Sequence, residues 1–160
     1  QLGAKRLIRV GTAGGLAEGL RMADTVVAIS ATPDDQIVSQ LCGGDAHAPT
    51  ASYSLVEQAV ALARAKGARV HVGPIVSSAI FYDTRVGIMQ RWKERGHLAV
   101  EMEAAVLYTL GALHKIETLC IATISDLIAS ETDTERISDA ELKLGVDRMM
   151  EVACELAIAD

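Results

Sequence analysis

Residues Leu7-Ile8-Arg9-Val10-Gly11-Thr12-Ala13-Gly14-Gly15 decide how this chain is read. An apolar run carrying one arginine ends in glycines, the pattern of a buried strand entering a glycine turn. The same grammar repeats outward from it. Thr25-Val26-Val27-Ala28-Ile29-Ser30 is rich in β-branched residues and predicts the next strand. Residues 32–50 hold Pro33, Gly43, Gly44 and Pro49, which predicts irregular backbone or a short edge strand. Ser54-Leu55-Val56-Glu57 has the form of a capping box, and the spacing of Leu55, Ala59, Leu62 and Ala63 predicts a helix to about Lys66, stopped by Gly67. Beyond it a strand is expected from Ala68 to Ser77, broken at Gly73-Pro74, then a helix from Thr84 to Arg95 closed by Gly96. Leu98 to Met102 reads as a strand, Glu103 to His114 as a helix, and Thr118 to Ser125 as a central apolar strand. Ser138-Asp139-Ala140-Glu141 is a second capping box opening a long helix to about Ala159. Strands alternating with helices predict an α/β sandwich on a largely parallel or mixed sheet.

Composition narrows the class. The 160 residues fit one domain, and 50% of them are hydrophobic, enough for a real core. Aromatics make up only 3%, so that core must be aliphatic. The net charge of −6 is spread among interspersed signs, without the basic stripe that binds nucleic acid. No apolar run reaches the roughly 20 residues a membrane span needs, and a cytoplasmic protein is expected. Cys42, Cys120 and Cys154 are far apart and form no C-x-x-C pair, which argues against a zinc site or a disulfide framework; reduced, mostly buried thiols are expected. His47, His71, His97 and His114 lack ligand spacing and read as ordinary histidines. The chain begins at Gln1, and residues 1–6 read like the tail of a helix running into a strand.

Four clusters fall where strands end. In Arg9 to Gly15, a guanidinium, the Thr12 hydroxyl and glycines such as Gly11 that let backbone amides approach could hold an oxyanion. The stretch lacks the Gly-Lys-Ser/Thr ending of a Walker loop, and a structural turn accounts for it as well. In Val76 to Asp83, adjacent Phe81 and Tyr82 could stack on a planar ligand or cover core surface, the second being the commoner use. In Val100-Glu101-Met102-Glu103, two carboxylates share a face if the strand persists, and a carboxylate can accept both hydroxyls of a sugar diol. Alternatively, Glu103 simply sits in the first turn of a helix. Asp126, after Ser125 at the mouth of the most apolar strand, is either a partly desolvated general acid or a cap.

Taken in order, RVGTAGG (Arg9 to Gly15), HVGPIVSSAIFYD (His71 to Asp83), VEMEAAVLY (Val100 to Tyr108) and TISD (Thr123 to Asp126) resemble the nucleoside phosphorylase and nucleosidase superfamily, most closely the purine nucleoside phosphorylases of the hexameric bacterial type. Glu135-Arg136 is a fainter match. The resemblance implies a three-layer αβα sandwich around a distorted mixed sheet, with assembly as a hexameric trimer of dimers. It implies that Arg9, Gly11 and Thr12 bind phosphate. It implies that Phe81, Val100, Glu101, Met102, Glu103 and Ser125 line the base and ribose sites, with Met102 and Glu103 at the ribose. Asp126 would protonate the purine leaving group, assisted by Arg136. Inorganic phosphate would be co-substrate, with no metal or organic cofactor.

Uridine phosphorylases carry a Gln and an Arg after the aromatic segment; here Asp83-Thr84-Arg85 follows, and Asp126 is present, which favours purines. Nucleosidases that cleave methylthioadenosine need no phosphate-binding arginine, so Arg9 favours phosphorolysis. The family's N-terminal strands and their glycine-rich loop have no counterpart here, so the chain reads as lacking that part. A hydrolytic nucleosidase, a uridine phosphorylase and a truncated non-catalytic nucleoside binder are the alternatives. Ala79 stands where the family often has a polar residue near the base.

Overall fold

A computed structural model describes residues 3–128 and 134–159. Among the described residues eleven elements follow one another: β1 (Arg6–Gly15), β2 (Thr25–Pro33), α1 (Ile37–Leu41), α2 (Tyr53–Ala65), β3 (Val70–Ser77), α3 (Ile88–Glu94), β4 (Ala99–Glu101), α4 (Ala104–His114), β5 (Glu117–Ile128), β6 (Thr134–Arg136) and α5 (Asp139–Ile158). The strands form one mixed sheet in the order β1-β4-β3-β2-β5-β6, and β1 also pairs with β5, so the sheet curls into a ring with β6 appended. This is the distorted mixed sheet of the expected α/β fold.

The two faces follow from strand alternation. Val26, Ala28, Cys120, Ala122 and Ile124 point to one side, where they pack with Ala104, Ala105 and Tyr108 of α4. Val27, Leu119 and Ile121 point to the other, against Leu55, Val56 and Ala59 of α2 and Met149, Val152 and Leu156 of α5. Helices therefore cover both faces. The core is aliphatic except for Tyr108 and, in a separate cluster with Val76 and Ile88, Trp92.

Several local expectations change. The glycines after Val10 make no turn; β1 runs straight through them, with a register shift at Ala13/Gly14. β3 is not broken at Gly73-Pro74. The irregularity lies instead in β2, between Ala28 and Ser30, because Pro74 lacks the N–H a regular ladder uses. Residues 32–50 contain the short helix α1, and Thr50 bridges to Ser30. The capping box at Ser54 does not form: α2 starts at Tyr53, Ser52 Oγ accepts from Thr118 N (3.0 Å), and Ser54 Oγ donates to Glu117 Oε1 (3.0 Å), so both serines fasten α2 to β5. The box at Ser138 does form, with Ser138 Oγ accepting from Glu141 N. α3 starts at Ile88, after a left-handed Gly87, later than Thr84. Residues 3–5 are not helical, and Gln1 and Leu2 lie outside the described residues. Of the cysteines only Cys120 is fully buried; Cys42 is half-buried and Cys154 is exposed.

Candidate active site

The short strand β4 organises the site. Its Val100 pairs with Gly14 of β1 in antiparallel sense and with Val76 of β3 in parallel. Gly14 pairs on its other side with Asp126 of β5. Val76, Val100, Gly14 and Asp126 thus form one row across four strands. At about 4.8 Å per strand, the Asp126 backbone lies roughly 10 Å from that of Val100. Because β4 is antiparallel to β1, the residues after it travel back along β1 toward Arg9.

That course brings Glu103 onto Arg9. Arg9 Nε donates to Glu103 Oε2 at 2.9 Å, and Nη2 donates to the same oxygen. Nε also lies 3.2 Å from Glu101 Oε2, and Nη1 lies 3.6 Å from Cys120 Sγ. The guanidinium is mostly covered, and Gly11 makes its position possible: a Cβ at residue 11 would stand 2.7 Å from Arg9 Nη1. Burial works against the Arg9 charge, but Cys120, Glu101 and Glu103 outweigh it and hold its pKa above the ordinary value. Burial also pushes the Cys120 thiol up to about 12, so at neutral pH it is a neutral neighbour.

The strand ends at Glu101, so the two carboxylates reach Arg9 Nε from different backbone settings and differ sharply in exposure. The Glu101 side chain is only 1% exposed, while that of Glu103 is 59% exposed. Glu101 turns inward and accepts from the backbone N–H of Glu103 (3.0 Å), from that of Ala104, and from Ser77 Oγ. Ser77 Oγ in turn accepts from Ala105 N at 2.9 Å. The first amides of α4 are therefore satisfied by Glu101 and Ser77, a buried carboxylate placed where the helix dipole favours one. Sequence reasoning did not single out Ser77, and one serine in an apolar strand gives little signal.

Thr12 is exposed. By alternation it falls on the face of Ile8 and Val10, opposite Arg9 and Gly11. The structure therefore does not bring Thr12 to the Arg9 side chain, although β4 pairs β1 only at Gly14 and Gly15 and leaves that edge open before them.

Asp126 is half-buried and accepts from Ser125 Oγ at 2.7 Å. Gly14 gives it room, since a Cβ there would lie 2.9 Å from Asp126 Oδ2. Arg136 is exposed and pairs with Asp126 across the β5–β6 ladder. Between β5 and β6, residues 129–133 lie outside the described residues. Phe81 and Tyr82 are 73% and 86% exposed, edge to face with centroids 5.0 Å apart, so they do not cover core surface. Met102 is exposed and Val100 half-buried. A surface cavity of about 780 Å³ lined by Gly3, Lys5, His114 and Glu117 contains none of these residues.

His71 and His97 are both engaged in structural hydrogen bonds. His71 Nε2 lies 2.8 Å from Asp24 Oδ2, and His97 Nε2 lies 2.7 Å from Thr32 Oγ1. Among the described residues no group of His, Cys, Asp and Glu could hold a metal ion. No described helix is long and apolar enough to cross a membrane.

Fold and site together define an α/β protein whose closed mixed sheet sets a half-buried arginine beside an exposed glutamate, and an aspartate that lies inside β5, not after it as expected, on the neighbouring strand. The chain belongs to the phosphorylase superfamily, whose profile matches residues 1–159. It is 38% identical over 161 residues to a purine nucleoside phosphorylase DeoD-type of Jannaschia sp. (strain CCS1), covering 98% of this chain and 66% of that protein. A protein of the same name from Exiguobacterium sibiricum is 42% identical, with 98% and 65% covered. Another from Alkaliphilus metalliredigens is 37% identical, with 97% and 65% covered. The chain thus spans about two thirds of the length of these relatives.

Proposed function

We propose that this chain carries the catalytic centre of a purine nucleoside phosphorylase, cleaving purine (deoxy)ribonucleosides with phosphate to free base and ribose-1-phosphate. The observation that carries the reading is the Arg9–Glu103 pair on the strand edge next to Gly14, the ladder partner of Asp126. A guanidinium and a carboxylate that neutralise each other can exchange partners. Arg9, with the approach Gly11 allows, takes phosphate; Glu103 takes the ribose 2′- and 3′-hydroxyls beside Met102. Phe81 stacks on the purine, and Val100 lies in the strand beside it.

As the C1′–N9 bond breaks, its electron pair moves to the base and positive charge grows on the ribose ring. Asp126 donates its proton to the purine imidazole nitrogen, which neutralises the leaving group. Ser125 Oγ holds Oδ1 of that carboxyl, leaving Oδ2 for the proton, and Arg136 on the neighbouring strand steadies the resulting carboxylate. A phosphate oxygen stabilises the cationic sugar and then bonds to C1′. Phosphate is the nucleophile, and the reaction requires no metal or organic cofactor. Glu101 acts through Arg9 and α4, not by touching substrate. The names of the relatives support the same chemistry. A cytoplasmic homo-oligomer, a hexamer built as a trimer of dimers, completes the reading.

The test is release of base from inosine and adenosine with and without phosphate. Phosphate-dependent release with ribose-1-phosphate formed is the expected result. Release without phosphate makes the protein a nucleosidase. Binding without turnover makes it a nucleoside binder.

A further inference from the structure

The segment that carries Phe81 has no core packing of its own. Ala79, Ile80, Phe81 and Tyr82 are all exposed. What fixes them lies at the feet of the loop, and both feet meet at one side chain. Asp34 follows the end of β2, and its backbone N–H donates to Ser77 O at 2.9 Å, which sets it beside the exit of β3. Its carboxylate accepts from Ser78 Oγ at 3.2 Å on the near side of the loop. From the far side it accepts from Arg85 Nη1 at 3.1 Å, and Arg85 Nη2 donates to it as well. Arg85 is held in turn by Asp83: its Nε donates to both carboxylate oxygens, at 2.9 and 3.0 Å, and its backbone N–H to Oδ1 at 2.9 Å. The Asp83 side chain is shielded from solvent, and the Arg85 hydrogen bonds hold its pKa below the usual range.

We propose that Asp34 and Arg85 are positioning residues for the base-stacking wall: by tying Ser78 and Arg85 to one carboxylate, Asp34 closes the 78–85 loop at its base and sets where Phe81 stands. This rests on the reading of Phe81 as the purine-stacking residue. Neither Asp34 nor Arg85 touches substrate. Their effect is to remove, before binding, the ordering that two exposed aromatic side chains would otherwise undergo on binding. The shared anchor also explains why α3 starts late, since residues 83–85 are committed to the tether.

The experiment compares the intact chain with Asp34→Ala, Arg85→Ala, Arg85→Lys and the double alanine variant. Hydrogen exchange reads the tether without reference to turnover. Amides of residues 78–87 are expected to exchange about tenfold faster in both alanine variants, while those of α4 stay unchanged. The KM for inosine is expected to rise about five- to tenfold, the cost of ordering one or two side chains. The KM for phosphate and kcat should stay within about twofold. The double variant should be no worse than either single, because both cut one tether. Arg85→Lys should recover only part of the loss, because an ammonium cannot fork between two carboxylates. Unchanged exchange in the loop, or a fall in kcat at constant inosine KM, overturns the proposal. If the unsubstituted chain forms no ribose-1-phosphate, the functional reading fails separately. Loop exchange and calorimetric inosine binding then decide the tether in place of KM.

Discussion

Gly14 is the residue on which the acid depends, although it has no side chain to contribute. A Cβ there would meet Ile128 Cδ1 at 2.6 Å as well as Asp126 Oδ2 at 2.9 Å. Ile128 is the flexible end of an apolar side chain and can yield, but the carboxylate is held by Ser125 Oγ and by its place in the ladder. Gly14→Ala is therefore expected to lower kcat by about 10²-fold through displacement of Asp126, since small misplacements of a reacting group cost that much. Asp126→Asn is the yardstick: removal of the general acid should cost 10²–10⁴-fold in kcat with nucleoside affinity nearly unchanged. A Gly14→Ala variant with full activity would dissociate Gly14 from the acid. The Arg9–Glu103 pair makes a second prediction. Glu103→Gln keeps the shape but removes the charge of the exposed carboxylate that Arg9 hydrogen-bonds, a competitor for phosphate. The KM for phosphate should fall severalfold while that for nucleoside rises, because an amide oxygen accepts the two ribose hydroxyls less well than a carboxylate. Steady-state kinetics with each substrate varied in turn separate the two effects.

Among the elements, α4 is where site and core join. Its first turn is capped by Glu101 and Ser77, and a turn later Tyr108 enters the core fully buried. The Tyr108 hydroxyl donates to Ala28 O at 2.7 Å and accepts from Cys120 N at 2.9 Å. Ala28 and Cys120 are register partners at the end of the β2–β5 ladder, so the phenol bridges the two strands where they diverge. Burial raises the Tyr108 pKa, which keeps the hydroxyl a donor. Tyr108→Phe leaves a buried N–H and a buried carbonyl without partners and is expected to cost about 2–3 kcal/mol. Urea unfolding should show a lower midpoint at constant m-value. No such role was legible beforehand: Tyr108 stood in the sequence as one aromatic in a helix of small residues, and its partners lie 80 and 12 residues away. The strands and long helices were legible because hydrophobic period and glycine stops are local signals. The failures came where a local signal was overruled by a distant partner. Ser54 had the spacing of a cap but bonds Glu117, Thr84 began an amphipathic run but lies inside the Asp83–Arg85 turn, and the Gly11–Gly15 run stayed extended because β5 pairs along its whole length. The candidate site was legible as motifs, but not the inward turn of Glu101 nor the anchoring of the Phe81 loop, which depend on where β4 stops and where β2 ends.

For the molecule as a whole, the ring of strands is fastened at its far end by charge. Arg6, the first residue of β1, donates from Nε to Glu117 Oε2 at 2.9 Å, and Glu117 is the first residue of β5. Arg6 Nη1 also donates to the carbonyls of Leu156 and Ala159 at the end of α5, so one guanidinium joins two strands and a helix C-terminus. The Arg6 hydrogen bond, helped by Ser54, holds the Glu117 pKa below its ordinary 4.5. A carboxyl whose folded pKa lies below its unfolded one binds fewer protons in the native state. Stability therefore rises with pH through that window. The contribution is complete above about pH 4.5 and is lost as pH falls through the depressed folded value. Arg6→Ala removes the cause of the depression, leaving the weaker hydrogen bond from Ser54. The variant should be less stable than the parent near neutrality, and the gap should narrow progressively as pH falls below about 4.5 and through the depressed folded value, beneath which both proteins hold a protonated Glu117. The gap should not close entirely, because the bonds from Arg6 to the α5 carbonyls do not titrate there. Asp83, also depressed, titrates equally in both proteins and cancels from the comparison. Urea unfolding at a series of pH values measures the gap directly. A gap that is independent of pH would mean that Arg6 serves the fold only through the α5 carbonyls, and that its charge pair with Glu117 contributes nothing to holding β1 and β5 together.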